Sequence, residues 1–127
     1  MVELTKDMHQ MLTHYDELLN TISEGLIYLE QNISEEAPPE AQRVFEDTLL
    51  ALEQVSVSHE QMVTIFENDP EVQTLIEDFH DIVKLLQGWF TLSSNEEKRR
   101  LLADQVVPAF ESWKARIQSF IKPHIAH

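Results

Sequence analysis

The sequence predicts an all-α protein folded as an antiparallel up-down-up-down four-helix bundle, and three observations carry that prediction. Apolar residues recur at steps of three and four through four long segments. Prolines and capping residues punctuate those segments and leave only short connections between them. The 127 residues include two glycines, five prolines and no cysteine, too little material for hairpins and none for disulfides or thiolate metal sites. A chain of this length suits one domain, residues 1–127, around one core.

The first helix, near residues 4–33, carries Leu4, Met8, Met11, Tyr15, Leu18, Ile22, Leu26, Leu29 and Ile33 on one face, widened by Leu12 and Leu19. At about 1.5 Å per residue it runs about 45 Å, a length that needs partner helices along its course. Gly25 lies inside this face and reads as a gap filled by a bulky neighbour, the other reading being close approach of a second backbone or a ligand. Pro38 and Pro39 then end the connection, and a second helix returns over 39–66. Its stripe of Ala41, Phe45, Thr48, Leu52, Val55, His59, Met62 and Phe66 alternates steps of four and three, the seam of left-handed bundle packing. Leu49 and Val63 widen one flank, while Leu50 and Val57 point away from the seam.

Asp69-Pro70-Glu71 places an N-cap, a first-turn proline and a dipole partner in succession, which predicts a third helix over 70–91. Its face holds Val72, Leu75, Ile76, Phe79, Ile82, Val83, Leu86, Trp89 and Phe90, and Gly88 is expected to loosen its last turn. In an up-down arrangement the Trp89, Phe90 and Leu92 end lies beneath the first loop, where it caps the core or forms a binding patch. Ser94 and Glu97 read as a capping box opening a fourth helix over 95–121. Leu102, Val106, Phe110, Trp113, Ile117 and either Phe120 or Ile121 hold its face, Pro108 kinks it, and Pro123 is expected to end it.

Charge narrows the function. Residues 1–97 hold 21 acidic and 3 basic side chains, net −18, whereas residues 98–127 hold 2 acidic and 6 basic, net +4. A phosphate backbone or an anionic membrane surface would be repelled by three of the four helices, so neither nucleic acid nor membrane is an expected partner. The first residues lack the pattern of a secretory signal, and no apolar run approaches the roughly 20 residues of a membrane span, so the expected location is cytoplasmic.

Enzyme motifs are absent. No glycine-rich phosphate cradle, nucleophile elbow or zinc-protease helix occurs in the sequence. Glu77-x-x-His80 has the spacing of one half of a di-iron site, but Phe79 on the seam turns both side chains outward, and no other histidine has a glutamate three residues before it. The one histidine on an apolar seam is His59. Antiparallel pairing about the first loop brings His14 to its height, with Glu17 one turn along, so His59, His14 and Glu17 form the candidate metal site, against a core histidine that fixes register.

The residues rank a non-enzymatic interaction protein first, a homodimer or a chaperone-like adaptor without cofactor. It would bind another protein or a second copy through Leu50 and Val57 on helix 2, or through Trp89, Phe90 and Leu92. The alternative is a metal-dependent enzyme or sensor at His59. By general shape such an acidic helical bundle resembles the small export chaperones and adaptors of bacteria, a likeness of architecture that implies a protein client.

Overall fold

A computed structural model describes residues 4–34 and 36–125, so residues 1–3, Glu35 of the first loop and the tail residues Ala126 and His127 lie outside it. Four antiparallel helices enclose one hydrophobic core. Helix α1 spans Lys6–Asn32, opened by Thr5, whose hydroxyl accepts from the Met8 amide at 3.2 Å. Helix α2 spans Pro39–Ile65 with proline at its first position. The turn into the next helix sets Glu67 and Asn68 in the left-handed region, at φ of 54° and 61°. There the Asn68 amide donates to the Val63 carbonyl at 2.9 Å and so satisfies an orphan at the end of α2.

Helix α3 spans Pro70–Gln87 behind Asp69, whose carboxylate accepts from the Glu71 amide at 2.8 Å. The chain then tightens into a 3-10 turn, Gly88–Thr91. Gly88 was expected to loosen this end; instead the helix narrows there and carries Trp89 inward. The fourth helix, α4, covers residues 95–125 in three segments. Asn95–Leu101 is α-helical, Leu102–Val106 is a π-turn and Val107–Ile125 is α-helical again.

The π-turn answers Pro108. A proline cannot donate to the carbonyl four residues back, so the chain takes one wider turn just before it, with the Val107 amide donating to Leu102. Pro108 thereby falls in the first turn of the following segment, where a missing donor costs little. Both Leu102 and Val106 stay fully buried across the turn.

The expected stop at Pro123 needs correction. Helix α4 runs through it to Ile125 because its end is held from outside, by His124 against Phe66 of the α2 terminus with ring centroids 5.0 Å apart. The opening cap also differs in detail. Ser94 accepts from the Glu97 amide at 3.1 Å as expected, but the Glu97 carboxylate takes the Ser94 and Ser93 hydroxyls, at 3.0 and 3.3 Å.

All eight seam residues of α2 are buried, as are both apolar rows of α1 from Leu12 to Ile33. Gly25 faces Thr48 where α1 packs closely on α2. A side chain there would overlap the Thr48 hydroxyl, which itself donates to the Val44 carbonyl at 2.7 Å. The gap is thus filled by a small hydroxyl side chain rather than by a bulky neighbour.

Candidate functional site

Three of the four seams between neighbouring helices are crossed by polar bonds. Between α1 and α2, Tyr15 and His59 meet at 2.6 Å. Between α1 and α4, Ser23 donates to Glu111, and the Gln118 amide donates to Asp16 at 3.0 Å and to Asn20 at 3.2 Å. Between α3 and α4, the Trp113 indole donates to the Leu75 carbonyl at 2.8 Å and Arg116 pairs with Asp78 at 2.8 Å. Among the described residues no hydrogen bond or ion pair joins the bodies of α2 and α3. Aromatic contacts hold that seam instead, His59 on Phe79 at 4.9 Å and Phe45 stacked on Trp89 at 4.4 Å.

Between those two aromatic contacts the α2/α3 seam opens into a groove of about 250 Å³. Leu49, Leu52, Val83, Leu86 and Phe90 make its apolar walls, and Glu53, Ser56 and Gln87 its polar edge. The volume lies below the roughly 300–1,000 Å³ of small-molecule sites; it suits a few side chains of a partner. Its origin is legible in α2: the flanking row Leu49, Ser56, Val63 has a small polar residue in the middle, so the row cannot close over α3.

One exposed apolar residue, Phe90, lines this groove. Leu50, Val57 and Phe90 are 57%, 54% and 65% exposed, and they are the exposed large hydrophobics among the described residues. Phe90 forms one end of the groove, whereas Leu50 and Val57 lie on the outward face of α2, about 100° round the helix from Leu49 and Ser56. Trp89 divides from its neighbour: it is buried against Phe45, with the Lys98 ammonium 5.2 Å from its ring, while Phe90 meets Phe45 only edge-on at 5.8 Å. Leu92 is half-buried. Of the expected aromatic patch, Trp89 therefore caps the core and Phe90 is left for solvent. A second depression, wider and shallower, lies between Met8, Met11 and Ile65 with Asp7 and Glu60 at its edge, and none of the three exposed hydrophobics borders it.

The structure does not bring His59, His14 and Glu17 together. His59 is buried in a ring of Tyr15, Phe79 and Trp113, edge-on to each. His14 and Glu17 lie on the outside of α1, 65% and 73% exposed and 4.0 Å from each other. The height expected for His59 is correct to one residue, but one residue on a helix is a rotation of about 100°. Tyr15 faces the core at that level and His14 faces water. Among the described residues no group of three or more His, Cys, Asp or Glu side chains is placed to hold a metal ion.

The Tyr15–His59 pair is chemically quiet. Tyr15 donates to His59 Nε2 in the tautomer that leaves fewest groups unmet, and Nδ1 is then a buried N–H without a hydrogen-bond partner, facing aromatic rings. Burial lowers the His59 pKa to about 4, with a smaller contribution from His80, so the imidazole is neutral at physiological pH. Burial, and to a lesser degree Asp16, pushes the Tyr15 phenol well above its ordinary value.

A family model, a domain of unknown function called DUF8042, matches residues 10–116. The chain belongs to that family. The match runs from the first turns of α1 into α4, and so includes the Tyr15–His59 pair and every residue of the α2/α3 groove. No curated protein and no solved structure matches the chain. No helix among the described residues is long and apolar enough to cross a membrane.

Proposed function

We propose that this domain is a non-enzymatic protein-interaction module of the cytoplasm, working through the α2/α3 groove. One observation supports this above the others: the α2/α3 seam, which among the described residues lacks polar cross-links, opens into an apolar groove with the exposed Phe90 at its end, and the exposed Leu50 and Val57 lie on the outer face of the same helix α2. Exposed apolar residues scattered singly are ordinary on any surface, whereas an open apolar groove ending in an exposed aromatic is the pattern of a docking face.

Photo-crosslinking in cells tests the reading. A benzophenone side chain at Phe90 or Val57 is expected to trap a discrete adduct, and the same group at Ala115, exposed on α4 next to the α3/α4 seam, is not. Equal labelling from all three positions, or none from any, would sink the proposal.

A further inference from the structure

Resting on that reading, we infer that the occupant of the groove is a basic amphipathic helix of another protein. Charge complementarity carries the inference. Glu46, Glu53 and Glu60 recur every seven residues along α2, so they form one row, lying between the groove residues Leu49 and Ser56 and the outward pair Leu50 and Val57. All three are exposed. A partner that covers both Phe90 and Leu50 must lie across that row of carboxylates.

Among the described residues no cation pairs with those carboxylates, and Glu46 accepts only from the neutral Gln42 amide at 3.1 Å. Helix α2 carries Glu40, Glu46, Asp47, Glu53 and Glu60 against Arg43 alone, and among the described residues none of these six makes an ion pair. Four of the six Lys and Arg side chains of α4 are engaged elsewhere, Arg99 and Arg100 with Glu96, Lys114 with Glu111 and Arg116 with Asp78, while Lys98 lies over the Trp89 ring at 5.2 Å. On α3 itself the cation near the groove is Lys84, three residues from Gln87 and seven from Glu77.

The same row argues against a second copy. A two-fold dimer sets a patch against itself, and here that would press Glu46, Glu53 and Glu60 on their own counterparts. From Glu46 to Glu60 the row extends about 21 Å at 1.5 Å per residue. The matching partner is a helix of about fourteen residues, with apolar side chains at i, i+3, i+4 and i+7 and Lys or Arg alongside them.

Fluorescence anisotropy with the full chain tests this, using a labelled fourteen-residue Leu/Lys model helix of that spacing. Its controls are the same peptide with Glu for Lys, and a shuffled peptide of identical composition. The ordered Lys peptide is expected to bind. Replacing Glu46, Glu53 and Glu60 together with Gln should weaken binding about tenfold, the yield of three exposed ion pairs, and flatten its salt dependence.

Phe90→Ala should weaken binding at unchanged salt dependence, and a charge-matched Glu17→Gln, Glu24→Gln, Asp104→Asn variant should bind as the parent does. Equal binding of the shuffled or Glu peptide, or an unaffected Glu46/Glu53/Glu60 variant, overturns the inference about charge. The groove reading fails separately, through silent crosslinking at Phe90. A crosslinked species of twice the chain mass would assign the groove to a second copy and overturn the basic partner.

Discussion

Replacing Gly25 with alanine is expected to destabilise the bundle by about 1–2 kcal/mol, against the direction that helix propensity alone predicts. Alanine gains about 1 kcal/mol over glycine inside a helix. Here the added carbon would overlap the Thr48 hydroxyl oxygen, while its next neighbours, Thr48 Cβ and Cγ2, stand at ordinary distances of 3.6 and 3.8 Å. The conflict is with one atom. Relieving it means rotating a branched side chain that has few choices in a helix and losing its bond to Val44, or parting the two helices, a gross cost of about 2–3 kcal/mol that outweighs the propensity gain.

Urea denaturation followed by far-UV circular dichroism measures the difference, and a double-mutant cycle locates its source. Thr48→Ala should rescue Gly25→Ala, with a coupling of about 1–2 kcal/mol, whereas Thr48→Val keeps an atom in the offending position and should not. Gly88 is the internal control. A carbon added there meets Leu101 Cδ2 at 3.7 Å, an ordinary contact, so Gly88→Ala should be neutral or stabilising by up to about 1 kcal/mol. A Gly25→Ala protein as stable as the parent would refute the close crossing of α1 and α2.

Further outcomes follow from the core and the groove. Because the folded-state pKa of His59 is depressed from 6.5 to about 4, the unfolded chain binds more protons between those values. Stability is therefore full above about pH 6.5, falls by roughly 3 kcal/mol as pH drops towards 4, and receives no further loss from this group below that. His59→Leu should remove that share of the pH dependence, seen by comparing urea midpoints of variant and parent across the range. Tyr15→Phe and His59→Leu each strand one buried partner, so each should cost about 1–2 kcal/mol and the double variant less than their sum. Exchanging Leu50, Val57 or Phe90 for serine should leave stability within about 0.5 kcal/mol of the parent in the same assay while abolishing crosslinking through the groove. Ser94→Ala removes the hydroxyl that accepts from the Glu97 amide and should cost about 1 kcal/mol.

Helix number, order and burial were legible in the sequence because each depends on spacing within one segment. The α2 seam from Ala41 to Phe66 is buried throughout, and the starts at Pro39, Pro70 and Asn95 coincide with proline or capping residues. Leu50 and Val57 were legible as outward residues for the same reason. The end of α4 was not, since local propensity stops a helix at Pro123 and only the packing of His124 on Phe66 carries it further. Nor was the π-turn, which shares the effect of Pro108 among the five residues before Val107.

The sequence by itself determined which face of each helix is apolar and which residues can rise level across an antiparallel pair. Tertiary structure decided how each helix is rotated against its neighbours, and that rotation selected Tyr15 over His14 as the partner of His59. It also parted Trp89 from Phe90, burying one and exposing the other, and left the α2/α3 seam open where Ser56 interrupts an apolar row. Periodicity is a property of one helix and can be read along it. A site between helices depends on the relative rotation of two or more, and one residue of error there turns a side chain by about 100°, from the core to water.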